Sequence, residues 1–202
     1  MPATAKIAKK QKYSYADYLQ WNDGKRYQLI NGRKVMSPAP LTEHQVIHSI
    51  LFGHFWNFVK SNNKPCLVLS APIDVRLCEN FSDSQCHNVF QPDIVVICDK
   101  SKMDRRGILG APEMVIEILS PTTAKDDLID KYKVYEQYGV REYWIVSPEY
   151  RTITVYLNEN SRFQQSGIYA EGDQIPVKLF NDELKIPVSE VFAGLDEIAD
   201  KE

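Results

Sequence analysis

Two carboxylates and a lysine stand where charged groups are rarely found. Asp93 comes directly before a run of four apolar residues, and Glu117 lies inside a second apolar run at residues 114–119. Lys131 follows on the apolar stripe of a helix predicted over residues 123–138. Charged groups are seldom fully buried unless they are paired or hold a metal. These three residues are therefore the first candidates for a functional site.

The residue types indicate a metal site. If the two apolar runs are strands that pair side by side, Asp93 and Glu117 can face one side of the sheet. Two carboxylates at one point suit a hard divalent cation such as Mg²⁺ or Mn²⁺, and the backbone carbonyl of Ile118 could add a third oxygen. The ammonium of Lys131 could then point at the carboxylates or at a bound phosphate.

Each of the three residues also has a purely structural explanation. A Pro-Asp pair such as Pro92-Asp93 before a strand is usually part of a turn. Glu117 would be solvated if its strand lay at the edge of the sheet, and Lys131 could pair with Asp127, four residues earlier on the helix. The combination of strand, strand and helix in this order favours a shared site over three separate explanations.

The elements that must position these residues follow from hydrophobic periodicity. Residues 46–59 predict a helix with one face on the core, introduced by a capping box at Thr42-Glu43-His44-Gln45. Buried strands are predicted at residues 94–97, 114–119 and 142–146. The helix at residues 123–138 would make a β-α-β unit with the last two strands, so we expect them to be parallel neighbours.

Shorter elements complete the predicted chain. Ser14 is expected to cap a short helix, and Asn31-Gly32 predicts a hairpin turn. Alternation at residues 73–77, where Asp74 and Arg76 separate apolar residues, predicts a half-buried strand. Further predictions are a strand at residues 152–157, a loop, a short strand at 177–180 and a closing helical turn with Val188, Val191 and Phe192 inward. The predicted fold class is α/β (α+β) with a mixed sheet.

Composition limits the classes of protein that fit. The 202 residues are enough for one domain with a real core, and residues 1–12 are polar and lysine-rich, which predicts a disordered tail and not a secretory signal. The net charge of −3 gives no global attraction to nucleic acid or to anionic membrane, and no apolar run is long enough to span a membrane. The cysteines lack a Cys-x-x-Cys pair and are predicted to be reduced thiols. Together these features predict a cytoplasmic protein.

One set of motifs runs through most of the chain, although each motif alone is weak. The motifs are Tyr27-Gln28-Leu29-Ile30-Asn31-Gly32, Met36-Ser37-Pro38, His44, Pro92-Asp93, Glu117-Ile118-Leu119-Ser120-Pro121, Asp127-x3-Lys131-x3-Tyr135 and Gly139-Val140-Arg141-Glu142-Tyr143-Trp144-Ile145-Val146. Together they resemble the Uma2 family, also called DUF820, of the PD-(D/E)XK restriction-endonuclease-like superfamily. The resemblance implies a restriction-endonuclease-like core, with a central mixed β-sheet flanked by helices and an N-terminal β-hairpin, in a single domain over residues 13–202.

The resemblance also implies roles for individual residues. Asp93 and Glu117 would be the ligands of Mg²⁺ or Mn²⁺. Lys131 would replace the lysine that usually lies two residues after the second acid, because Leu119 stands at that position here. Glu43 matches a further acidic residue on the first core helix and would hold the hydration shell of the metal.

Two positions depart from the family's pattern. Gln28 stands where family members commonly have Glu in the hairpin, which weakens any role for an acid there. Ser147 stands where they commonly have Asp after the Tyr-Trp strand, a change that affects a turn more than the chemistry.

The leading hypothesis is a metal-dependent endonuclease that hydrolyses DNA phosphodiester bonds, with no membrane partner and with a homodimer left open. Basic groups near the site in sequence could contact phosphates or form a solvated loop: Lys100, Lys102, Arg105, Arg106 and Lys125. The rival hypothesis is a catalytically inactive nuclease-fold module that binds nucleic acid or acts as a scaffold, which the acidic net charge favours. A third alternative is a zinc-binding regulator that uses Cys86, His87 and another cysteine.

Overall fold

The computed structural model of the chain describes residues 12–80, 82–120 and 126–198, with the backbone alone for residues 126–128. The tail predicted at residues 1–12 lies outside these ranges apart from Lys12, and so does the start of the helix predicted over residues 123–138. Within the described ranges, no helix is both long enough and apolar enough to cross a membrane.

Strands make up most of the regular structure. In chain order they are β1 (Tyr27–Ile30), β2 (Arg33–Met36), β3 (Leu67–Ser70), β4 (Val75–Arg76), β5 (Val89–Phe90), β6 (Ile94–Ile97), β7 (Met103–Asp104), β8 (Gly107–Leu109), β9 (Met114–Ile118), β10 (Glu142–Ser147), β11 (Thr152–Glu159), β12 (Arg162–Tyr169), β13 (Gln174–Pro176) and β14 (Lys185–Pro187). The α-helices are α1 (Tyr15–Tyr18), α2 (Thr42–Ser61), α3 (Tyr132–Tyr138) and α4 (Val188–Val191). A π-helical segment, Asp126–Lys131, runs directly into α3.

In the described part of the chain the strands form two six-stranded mixed sheets and a small hairpin of β13 and β14. The central sheet has the order β12-β11-β10-β9-β6-β3, and the second sheet has the order β2-β1-β5-β4-β8-β7. β9 and β10 are parallel, as predicted for strands joined by a crossover helix. β6 is antiparallel to β9, with Ile94 opposite Ile116, and this pairing places the ends of the two strands side by side.

The central sheet is buried on both faces, which explains the near-continuous apolar runs of its middle strands. One face packs against the buried side of α2, and the other packs against α3 and the second sheet. The residues predicted to form this buried sheet are at most 4% exposed: Ile94, Val96, Val115, Ile116, Ile118, Ile145 and Val146. The predicted fold class and central sheet are therefore confirmed.

The N-terminal elements also follow the sequence. Ser14 caps α1 and forms a capping box with Asp17. β1 and β2 pair through Asn31 and Gly32, which have φ angles of 52° and 77°, the positive values that a type I′ turn requires. The predicted hairpin is confirmed.

Two local predictions in this half of the chain are wrong. The residue that caps α2 is Leu41, which has no side-chain acceptor, so Thr42 lies inside the first turn and makes no capping box. Arg76 is only 1% exposed, because β4 lies inside the second sheet and not at its edge. The guanidinium reaches Asp104, with 2.6 Å between Arg76 Nη2 and Asp104 Oδ1.

The C-terminal part departs further from the prediction. The predicted loop after β11 contains β12. This strand lies at the edge of the sheet and is largely polar, so it has no apolar pattern by which the sequence would predict it. The strand predicted at residues 177–180 is instead the 3₁₀ helix Lys178–Phe180. The closing helical turn is confirmed as α4, with Val188, Val191 and Phe192 buried.

The prediction of reduced thiols is wrong for one pair. Cys66 and Cys98 form a disulfide, because the antiparallel register of β3 and β6 continues by one residue and sets them opposite each other. Their separation of 32 residues carries no sign of this pairing. Cys78 and Cys86 are both buried.

Candidate active site

A cleft of about 300 Å³ opens where the ends of β6 and β9 meet the first turns of α2. The hairpin of β1 and β2 and the Pro-rich segment after it form the opposite wall. The polar residues that line the cleft are Arg26, Gln28, Ser37, His44, Gln45, His48, Ser70, Gln91, Asp93, Glu117, Ser120 and Lys131. Asp93, Glu117, Ile118 and Lys131, which the sequence singled out, all line this one cleft.

Asp93 is held at the mouth of β6 by contacts from two sides. Its Oδ2 accepts a 2.7 Å hydrogen bond from the backbone N–H of Ile118 on β9. His44 Nε2, from the first turn of α2, lies 3.2 Å from the same oxygen. Among the described residues Oδ1 has no hydrogen-bond partner, and the side chain is 18% exposed. Oδ2 of Asp93 is thus held by a strand and by a helix.

Glu117 is deeper and is paired with a cation. Its Oε1 accepts hydrogen bonds from Lys131 Nζ at 3.0 Å and from Tyr135 Oη at 2.7 Å. The side chains of Glu117 and Lys131 are only 3% and 4% exposed. Residues four apart on a helix project from one face, so the π-helical segment and α3 together direct Lys131 and Tyr135 at the same carboxylate. Short π-helical segments frequently mark functional sites.

His48 contacts the backbone of Asp93. Its Nε2 is 3.2 Å from the Asp93 carbonyl oxygen and 2.9 Å from Ser70 Oγ. Because a carbonyl oxygen can only accept, Nε2 must carry a hydrogen. Burial lowers the pKa of His48, and the neighbouring Asp93 only partly offsets this effect, so the ring is favoured in its neutral form. Sequence reasoning missed His48, although the spacing of His44 and His48 places both on one face of α2.

Glu43 is not brought into the site. It lies in the first turn of α2 next to His44, but its side chain is exposed and does not line the cleft. A helix turns by about 100° per residue, so neighbouring residues face different directions, and here the histidine faces inward.

The basic groups expected near the site lie elsewhere or fall outside the described residues, as Lys125 does. Lys102 Nζ binds the Ala111 carbonyl at 2.8 Å, and Arg106 pairs with Asp83 at 2.6 Å. Arg26 lines the cleft instead, with Nη2 3.3 Å from the Pro38 carbonyl.

The zinc alternative has little support in the geometry. His87 Nδ1 is 2.7 Å from the Tyr13 carbonyl oxygen. A hydrogen bond with the Cys78 side chain, together with burial, raises the pKa of the Cys86 thiol. Across the described ranges, no group of three or more His, Cys, Asp or Glu side chains is arranged to hold a metal.

The fold of this chain is shared with a solved structure. A crystal structure described as "a putative nuclease belonging to DUF820", from Anabaena variabilis, superposes with a TM-score of 0.70 at 20% identity, over 90% of this chain and 98% of that one. The two chains therefore share one fold.

The family follows from the sequence match. The model of the Uma2 family, described as "Putative restriction endonuclease", matches residues 15–189, so this chain belongs to the Uma2 family. The chain is also similar to "Uncharacterized protein slr1290" of Synechocystis, at 24% identity over 187 residues, which are 91% of this chain and 93% of the relative.

Proposed function

We propose that this protein is a divalent-metal-dependent endonuclease that hydrolyses DNA phosphodiester bonds. The observation that carries the proposal is the meeting of Asp93, Glu117 and Lys131 in one cleft, from two paired strands and the following helix. Membership of a family described as "Putative restriction endonuclease" supports the reaction class and a nucleic-acid substrate.

The residues of the cleft fit a hard cation. Carboxylate and carbonyl oxygens are the ligands that Mg²⁺ and Mn²⁺ prefer. Asp93 would offer Oδ1, Glu117 its carboxylate, and Ile118 its backbone carbonyl. When bound, such a cation would polarise the scissile phosphate and lower the pKa of an attacking water.

The remaining residues would handle the charge of the substrate. Lys131 carries a buried ammonium beside Glu117 and would orient the attacking water or neutralise charge that develops on the phosphate. Arg26 lies on the opposite wall and is exposed, so its guanidinium could bind a flanking phosphate. Gln28 and Ser37, which are hydrogen-bonded to each other at 2.9 Å, would hold this wall in place.

The alternative is a catalytically inactive nuclease-fold module that binds nucleic acid or acts as a scaffold. Two observations favour it. Glu117 already has a cation and a hydroxyl donor, so the pair is balanced as an internal ion pair. The net charge of −3 also provides no broad basic surface for a polyanion.

A cleavage assay separates the two functions. Duplex, nicked and single-stranded DNA, with RNA of the same sequence, are incubated with Mg²⁺ or Mn²⁺ and the wild-type protein. Asp93→Ala is the test variant, and Asp99→Ala is its control, since Asp99 is exposed and caps the 3₁₀ helix Lys100–Lys102 through Ser101. We expect metal-dependent cleavage of DNA by the wild type and Asp99→Ala but not by Asp93→Ala. Binding of DNA without cleavage under any of these conditions would favour the inactive module.

A further inference from the structure

We propose that His44 and His48 are positioning residues that fix Asp93 from one face of α2. The inference rests on the proposed function, because it concerns the orientation of a metal ligand. His44 lies against the carboxylate of Asp93, and His48 lies against the backbone carbonyl of the same residue. Two side chains one helical turn apart thus hold both polar ends of one residue.

The two carboxylate oxygens of Asp93 have different surroundings. Oδ2 receives the Ile118 N–H at 2.7 Å and faces His44 Nε2 at 3.2 Å. With Oδ2 held from a strand and a helix, rotation of the carboxylate is restricted, and Oδ1 would be the oxygen that binds a metal. Ligand atoms held by outer hydrogen bonds bind metals more tightly, and loss of such a partner typically costs about 10–100-fold in affinity.

His48 acts on the backbone at the same point. Its Nε2–H reaches the Asp93 carbonyl at 3.2 Å and Ser70 Oγ at 2.9 Å, and the Ser70 hydroxyl donates onward to the Ala71 carbonyl. Ala71 N–H in turn donates to the Asp93 carbonyl at 3.1 Å. The peptide that carries Asp93 is therefore tied to both α2 and the end of β3.

Packing alone does not explain His44. Its Nδ1 is buried and has no hydrogen-bond partner among the described residues. A buried polar atom without a partner costs about 1–3 kcal/mol, and an apolar side chain at this position would avoid that cost. The contact of Nε2 with Asp93 is the feature that an apolar residue could not provide.

The same helix supplies a matched control. His54 also lies on α2, but it faces Glu190 at 3.1 Å and does not line the cleft. His54→Leu therefore changes the same residue type on the same helix without touching Asp93. His44→Gln serves as the conservative variant, because the glutamine amide can donate from nearly the position of Nε2.

The test measures Mn²⁺ binding by calorimetry and cleavage as a function of Mn²⁺ concentration. We expect His44→Leu to weaken Mn²⁺ binding by about 10–100-fold and to raise the half-saturating Mn²⁺ concentration equally, while cleavage at saturating Mn²⁺ is retained. His44→Gln and His54→Leu should bind Mn²⁺ with the affinity of the wild type. The Mn²⁺ affinity of His48→Leu should lie between that of the wild type and that of His44→Leu. Metal-free chemical unfolding shows that each variant is folded.

The outcomes separate this inference from the proposed function. Unchanged Mn²⁺ affinity in His44→Leu, or equal loss in His44→Gln and His44→Leu, would overturn the positioning role while the proposed function stands. A wild-type protein that binds no Mn²⁺ would overturn both. A loss of Mn²⁺ affinity confined to His44→Leu and His48→Leu would support the inference.

Discussion

Glu117 and Glu142 are buried carboxylates on neighbouring parallel strands, yet their surroundings differ completely. Glu117 lies near the end of β9, faces the second sheet, and is bound by the ammonium of Lys131 and the hydroxyl of Tyr135. Glu142 begins β10 on the opposite face and is 1% exposed. Its partners are the Trp144 indole at 2.8 Å and the backbone N–H of Leu179 at 2.7 Å, with a longer contact from Lys178 N–H.

The difference distinguishes a carboxylate suited to chemistry from one that stabilises the fold. Among its hydrogen-bond partners in the described chain, Glu142 has neutral donors and no cation. Burial raises the pKa of its carboxyl group, and the hydrogen bonds from these donors only partly oppose the rise. It does not line the cleft. Glu117 keeps a cation beside it and faces a cleft that a ligand can enter. Burial of a carboxylate is therefore not itself a sign of function. Its partners and its position beside a cleft distinguish a candidate functional group from a structural one.

The largest expected effect separates the two carboxylates directly. Glu117→Gln should weaken Mn²⁺ binding by more than about 100-fold, because losing a ligand should cost more than losing a hydrogen bond to a ligand, and DNA cleavage should disappear. Glu142→Gln should leave both unchanged. Calorimetric titration with Mn²⁺ and the cleavage assay measure these effects. Equal losses of Mn²⁺ affinity and cleavage in the two variants would contradict the distinction between Glu117 and Glu142.

Lys131 provides the next test. Lys131→Met keeps the stem but leaves Glu117 without its cation, which should lower the metal-free free energy of unfolding by about 3–5 kcal/mol. Mn²⁺ should restore part of this loss, since the ion replaces the missing positive charge. Cleavage should be abolished while Mn²⁺ binding is undiminished.

The control for this variant is Lys178→Met, because Lys178 pairs with Asp182 on the surface at 2.7 Å. Its effect on unfolding should be small, as is usual for exposed pairs. Full cleavage by Lys131→Met would return Lys131 to the role of a structural ion pair.

Glu142 should matter for stability alone. Glu142→Leu removes the acceptor from the Trp144 indole and the Leu179 N–H, and each donor left buried without a partner should cost about 1–3 kcal/mol. Urea unfolding monitored by circular dichroism gives the loss. Mn²⁺ affinity of the folded variant should equal that of the wild type, and a clear fall in affinity would show that Glu142 is coupled to the cleft.

The smallest effect is in the pH dependence of stability. Because the pKa of Glu142 is raised in the folded chain, the folded state keeps this proton where the unfolded state has lost it. The contribution of Glu142 is therefore most favourable below the unfolded pKa of about 4.3 and declines as the pH rises through the folded pKa. The unfolding free energy of the wild type, taken relative to that of Glu142→Gln, should therefore fall between acid and neutral pH. A difference that rises with pH would contradict this assignment.

Sequence alone was sufficient for the central architecture. Strands covered on both faces must be apolar at nearly every position, so β6, β9 and β10 were recognisable as continuous runs. A hairpin turn that needs two positive φ angles restricts the residues it accepts, so Asn31-Gly32 marked the first hairpin. The apolar runs also made the candidate site residues recognisable, because a charged residue within or beside a buried segment interrupts its apolar pattern. These residues are Asp93, Glu117 and Lys131.

Tertiary structure alone decided the surroundings of these residues. The periodicity of α2 placed His44 and His48 on one face, but only the position of the helix against β6 showed that this face meets Asp93 and that Glu43 points away. The Cys66–Cys98 disulfide, the burial of Arg76 and the edge strand β12 were likewise set by strand register and sheet order. Local sequence determines which conformation a segment prefers, whereas contacts between distant segments depend on how all the elements pack together.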